Sequence, residues 1–103
     1  MANEPMTMVL MIKVKGEHRQ EFFDMMKNHE NGIALTKKSP GCISVEGRMS
    51  TIDDETVVIW EKWANKEAQA AYRKMRQDSG FFNDWVPKMA GPPVYMFLSA
   101  DSF

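Results

Sequence analysis

Thr56-Val57-Val58-Ile59-Trp60-Glu61-Lys62-Trp63 is the stretch whose reading decides the fold. Its β-branched and aromatic residues are those of a buried strand. Side chains alternate across a pleated strand, so Val57, Ile59, Glu61 and Trp63 share one face, and Val58, Trp60 and Lys62 the other. Bulky groups therefore stand on both sides, and both sides need a cover.

Working outward, Thr51-Ile52-Asp53-Asp54-Glu55 is a polar connector of hairpin length, and Cys42 to Met49 before it reads as an antiparallel neighbour strand. Ser39-Pro40-Gly41 separates that strand from a helical pattern over about Glu17 to Lys37, because proline cannot continue a helix and disfavours helical geometry in the residue before it. His18, Phe22, Met25, His29 and Ile33 recur there at helical spacing, with Gly32 a mild weakness. Thr7 to Val14 reads as the first strand, apolar on both faces. Met1 to Pro5 is expected to be a frayed tail.

Downstream, Asn65 is placed to cap a helix whose first turn holds Glu67, a carboxylate favoured at the positive end of the helix dipole. Ala68, Ala71, Tyr72 and Met75 form its expected buried stripe. Phe81 to Val86 reads as a short extra helix limited by Pro87. Gly91-Pro92-Pro93 turns into a last strand, Val94 to Ser99, again apolar on both faces.

The order β-α-β-β-α-(short α)-β predicts an α+β, ferredoxin-like split βαβ arrangement: one four-stranded antiparallel sheet with both right-handed crossovers, and so all helices, on one face. At 103 residues the chain is read as a single domain, residues 1–103. The face away from the helices stays bulky and apolar. Monomers rarely expose such a patch beyond a few hundred Å², so a twofold homodimer through that face, two sheets making a barrel, is expected.

Composition narrows the partners. Thirteen Lys plus Arg against fourteen Asp plus Glu, scattered rather than blocked, offer nothing to attract nucleic acid or anionic lipid. The one cysteine, Cys42, has no intrachain partner, and neither a leader nor a bilayer-spanning apolar run is seen, so a reducing cytoplasm is the expected location. No G-x-G-x-x-G, P-loop, nucleophile elbow or C-x-x-C occurs. His18 and His29 are almost three helical turns apart, too far to share a metal, so no metal site is expected.

Three stretches carry a family resemblance: Lys13-Val14-Lys15-Gly16 with Phe22-Phe23, Ser39-Pro40-Gly41-Cys42-Ile43-Ser44-Val45, and Ile59-Trp60-Glu61-Lys62-Trp63-Ala64-Asn65-Lys66-Glu67-Ala68. In this order and spacing the chain resembles the antibiotic biosynthesis monooxygenase domains. The resemblance implies a dimeric α+β barrel with a pocket between sheet and helices. Members include cofactor-free oxygenases of phenols or quinols, haem-degrading enzymes and a sugar-phosphate isomerase. Fold membership alone does not choose among them. Haem degradation in related proteins uses an asparagine, a tryptophan and a histidine, and aligning the motifs puts Val9, Trp63 and Arg73 at those positions. Two of the three are absent, and with them the axial iron ligand.

The resemblance also turns the Glu61/Trp63 face toward the helices and the pocket. Trp63 then reads as a flat wall for an aromatic substrate or as a large core residue. Glu61 reads as a proton acceptor or as a carboxylate paired with Lys, Arg or backbone. Tyr72 reads as a hydrogen-bond donor to substrate or a plain core tyrosine, and His29 as a general base or a boundary residue. What the resemblance implies is a monooxygenase without cofactor, acting on a small phenol- or quinol-like aromatic. His29 or Glu61 would take the proton, Tyr72 would steady the oxyanion, and Trp63, Phe22 and Met25 would stack on the ring and exclude water. The alternative is a dimeric barrel that binds a small molecule without transforming it.

Overall fold

The computed structural model describes residues 4–103. β1 (Met6–Lys13), β2 (Cys42–Met49), β3 (Thr56–Trp63) and β4 (Val94–Ser99) form one sheet in the order β2-β3-β1-β4, and every neighbouring pair is antiparallel. This is the expected ferredoxin-like α+β topology, since each β-α-β crossover passes over one intervening strand. Glu4 and Pro5 of the expected tail are exposed ahead of β1, and residues 1–3 lie outside the described residues.

Register follows the alternation read from the sequence. Met8 pairs with Glu61, Leu10 with Ile59 and Ile12 with Val57, all on the helix side. Val14, Phe22, Met26, Val45, Val57 and Ile59 are the buried apolar cluster joining α1 (Gly16–Asn28) to that side. α3 (Lys66–Ser79) starts where expected, with Asn65 accepting from the Ala68 amide at 2.8 Å, and ends on Gly80 in the left-handed conformation. Gly41, at φ 84°, lets the strand entry run against α3: a Cβ there would lie 2.5 Å from that of Ala68. The β2–β3 hairpin is closed by Asp53, whose carboxylate accepts from the Glu55 and Thr56 amides at 2.8 and 2.7 Å and from the Thr56 hydroxyl at 3.0 Å. These bonds, the backbone ones first, hold the Asp53 pKa down at about 2.

Three expectations need correction. The helix expected over Glu17 to Lys37 is two helices, because α1 ends at Asn28, His29 is extended, and α2 (Ile33–Lys37) starts after Gly32. Gly32 is more than a mild weakness: a Cβ there would sit 2.4 Å from the Met26 carbonyl oxygen, so the close return of the chain requires glycine. On α3, Ala71 and Met75 are exposed, and the buried residues are Gln69 and Arg76. The short helix expected over Phe81 to Val86 is a 3-10 segment, Asn83–Lys88, that contains Pro87.

The far face of the sheet is apolar and open. Val9 is enclosed there by its cross-strand partners Trp60 and Met96. Trp60, Val94, Met96 and Leu98 themselves remain 41–53% exposed. Glu46 and Arg48 form an exposed ion pair at 2.9 Å toward the β2 edge. Among the described residues no helix is long and apolar enough to cross a membrane.

Candidate functional site

Between the helix side of the sheet and α1, α2 and α3 lies a cavity of about 320 Å³. β1 and β3 supply its apolar floor through Met8, Leu10, Ile12 and Ile59, α1 supplies Phe22 and Met26, and the 3-10 segment and its flanks supply Phe82, Val86 and Met89. Polar chemistry enters from β3, as Glu61, from α2, as Thr36, and from α3, as Gln69, Tyr72, Arg73 and Arg76. A second recess of about 350 Å³ lies beside β2, but its charged groups, Lys27, Lys37 and Glu46, are all exposed. The unusual environments are in the first cavity.

Glu61 is 4% exposed. Its Oε1 accepts from the Trp63 indole N–H at 2.8 Å, and its other oxygen makes no hydrogen bond among the described residues. Burial raises the Glu61 pKa above the ordinary carboxylate value, against smaller lowering effects from the Trp63 bond and the Arg76 charge. Trp63 is fully buried and does not line the cavity. It fixes the two residues that do, by its bond to Glu61 and by packing against the Tyr72 ring at 5.1 Å.

Tyr72 belongs to a network centred on Arg76, which is 6% exposed. Arg76 Nε donates to Tyr72 Oη at 2.7 Å, and Nη2 donates to the Gly32 carbonyl at 2.7 Å and to Thr36 Oγ1 at 3.2 Å. Nη1 donates to the Asn31 carbonyl. Carbonyls of the α1–α2 break thus solvate a buried guanidinium. Thr36 Oγ1 and Tyr72 Oη lie 2.6 Å apart. Two hydroxyls carry two protons and one closes the bond between them, so one O–H of this pair remains for a molecule in the cavity. Burial raises the Tyr72 pKa above the ordinary tyrosine value, with the Thr36 and Arg76 bonds opposing it.

Of the residues singled out in the sequence, Glu61, Tyr72 and Phe22 come together on the cavity wall. Met25 does not; it packs half-buried against the core, and its neighbour Met26 takes the wall position. His29 also lies off the cavity. It is exposed at the end of α1, its Nδ1 accepts the Asn31 amide at 2.9 Å, and its ring lies 5.2 Å from that of Phe81. The helix stops one residue before it, so it never reaches the inward stripe. Sequence reasoning missed Thr36, Gln69 and Arg76. The spacing of Gln69, Tyr72, Arg73 and Arg76, i, i+3, i+4 and i+7, was a signal for one helix face, masked by the expectation that a buried face is apolar. No group of three or more His, Cys, Asp or Glu residues that could hold a metal occurs among the described residues.

The sequence profile of the antibiotic biosynthesis monooxygenase family matches residues 5–81, which includes every polar residue of the cavity wall named above. The chain belongs to this family. Antibiotic biosynthesis monooxygenase folds are also what it resembles in three dimensions. A Caulobacter crescentus CB15 protein proposed to be such an enzyme superposes with a TM-score of 0.81 at 20% identity, covering 98% of this chain and 93% of that one. Rv0793 from Mycobacterium tuberculosis gives 0.78 at 15% identity, covering 97% and 98%. A Nitrosomonas europaea protein, also proposed to be an antibiotic biosynthesis monooxygenase, gives 0.79 at 17% identity, covering 97% and 93%. At these identities the likeness is one of fold. No curated protein matches the chain.

Proposed function

We propose that this family member oxygenates a small phenol- or quinol-like aromatic in the cavity, without metal or flavin, with Glu61 as the proton acceptor. The observation that carries the proposal is a buried carboxylate, with one oxygen uncommitted among the described residues, on the wall of an apolar cavity that the Tyr72–Thr36 hydroxyl pair also lines. Removing a proton from an electron-rich phenol or quinol gives an anion that reacts directly with dioxygen. A base with a raised pKa suits this step, because its conjugate acid is less acidic and the transfer is better matched. The free O–H of the hydroxyl pair then steadies the oxyanion, and the apolar walls of Phe22 and Met26 keep water out. His29, which lies off the cavity wall, has no part in this scheme.

Oxygen uptake with a panel of quinols and anthrones, without added cofactor, tests the proposal. Turnover above buffer that is lost in Glu61→Gln supports it, and none across the panel refutes it. Specific ligand binding without turnover would favour the alternative, a binding protein, which the Tyr72–Thr36 pair and Gln69 serve equally well.

The same proposal includes pairing with a second copy of the chain. The open apolar face carrying Trp60, Met96 and Leu98 supports a twofold sheet-to-sheet homodimer. Sedimentation at micromolar concentration should give twice the 11.9 kDa chain mass, and Trp60→Glu should shift it toward the monomer. Wild-type protein sedimenting as a single chain refutes the pairing.

A further inference from the structure

The inward face of α3 is polar along its whole length, although it borders a largely apolar cavity: Gln69, Tyr72, Arg73 and Arg76 all line it. Two of the four are cations, and neither has a carboxylate within ion-pair distance among the described residues. Arg76 is satisfied by carbonyls and hydroxyls. Arg73 is not. It is half-buried, and among the described residues its guanidinium lies over the Phe97 ring, 5.3 Å from the centroid. Such a contact at a partly exposed site contributes only about 0.5–1 kcal/mol, so a better partner displaces it easily. Among the described residues the only acidic one lining the cavity is Glu61, and even ionised it leaves the two arginines in excess by one charge. Gln69, 3% exposed, lines the same cavity and makes no side-chain hydrogen bond among the described residues.

We infer that the ligand of this cavity is an aromatic acid, one whose ring system occupies the apolar floor while a carboxylate pairs with Arg73 on the β4 side and a ring hydroxyl reaches inward to Glu61. This deepens the proposed function and rests on it for the identity of the site. A guanidinium presents a planar fork that matches a carboxylate with two parallel hydrogen bonds. One uncommitted guanidinium neutralises a monoanion. A phosphate monoester, near −2 at neutral pH, would keep an unmatched charge in a cavity with no second free cation among the described residues. Arg73 is half-buried over Phe97, whose ring stacks on half-exposed Tyr95 of the cavity wall, so a carboxylate paired with it keeps partial contact with water while the ligand's ring is buried.

Calorimetric titration under nitrogen with 6-hydroxy-2-naphthoate and with 2-naphthol isolates the carboxylate, because the two probes share ring and hydroxyl and the acid carries its carboxylate at the end of the ring system away from the hydroxyl. Wild-type protein at low salt should bind the acid about tenfold tighter, which corresponds to about 1.4 kcal/mol. In Arg73→Gln the two probes should bind alike, and Arg73→Lys, which keeps the charge but loses the fork, should fall between. Equal binding of both probes to wild type overturns the inference and leaves the cavity reading standing, as does a preference that survives in Arg73→Gln or an Arg73→Lys no better than Arg73→Gln. Binding of neither probe overturns both. Because no oxygen is present, failure of turnover does not enter the result.

Discussion

Replacing Arg76 by methionine removes the guanidinium while keeping an unbranched chain of similar reach, and the structure sets what is lost. Four hydrogen bonds disappear, to Tyr72 Oη, Thr36 Oγ1 and the carbonyls of Asn31 and Gly32. The two hydroxyls still have each other. Asn31 is exposed, so water can replace the lost donor there, while the carbonyl of buried Gly32 keeps only the Leu35 amide, at 3.2 Å. Hydrogen bonds to a charged group contribute about 1.5–3 kcal/mol each, offset in part by no longer burying a cation. A net loss of about 2–4 kcal/mol follows. For a domain near 100 residues each kcal/mol lowers Tm by roughly 4–8 °C, so Arg76→Met should melt at least about 10 °C below wild type by circular dichroism. Arg76→Lys, with its point charge, should recover part of the loss. A Tm for Arg76→Met within about 2 °C of wild type, less than the shift from a single kcal/mol, would show that the guanidinium does not hold the α1–α2 break, and the account of how Tyr72 is oriented would fall with it.

Glu61→Gln keeps an acceptor for the Trp63 indole but removes the charge, so it should abolish oxygen uptake while stabilising the fold at neutral pH. Because the folded-state pKa of Glu61 is raised above 4.5, the wild type loses stability as pH rises from below that value through the raised one. Urea melts across that window should therefore show the gap widening upward, and a constant gap contradicts the assignment. Gly41→Ala, at positive φ and 2.5 Å from the Ala68 Cβ, should cost about 1–3 kcal/mol from overpacking with further strain from the left-handed backbone; an unchanged urea midpoint would refute the close approach. Asp53→Ala should lower Tm at neutral pH by releasing the hairpin. The Asp53 carboxylate pKa is depressed from 3.8 to about 2, so the wild-type advantage should be present above that interval and vanish as pH falls through it. Equal melting of the two proteins at neutral pH would refute the Asp53 contribution.

The strands were legible because their signal is local. β2, β3 and β4 fall on the expected residues, and β1 is displaced by one position at each end. Alternation alone assigned Glu61 and Trp63 to one face and Trp60 and Lys62 to the other. The helices were less legible. The pattern through His29 and Gly32 continues smoothly in sequence, but the chain turns there, and what makes the turn stable is Arg76, 44 residues away at its contact with Gly32. A periodicity rule cannot see that partner. The same blindness put Ala71 and Met75 inward on α3, since an arginine counts as surface until its charge is known to be solvated by protein.

By itself, then, the sequence determined the four strands, their order-defining connections, the doubly apolar sheet and the placing of Glu61 and Trp63 on one face of it, because each depends on residues next to one another in the chain. Only the tertiary structure decided that His29 and Met25 leave the cavity, that Met26, Thr36, Gln69 and Arg76 enter it, and that Arg73 lines it with no acidic partner among the described residues. Those outcomes depend on where one helix stops and how another is rotated, and both are set by hydrogen bonds between groups far apart in sequence.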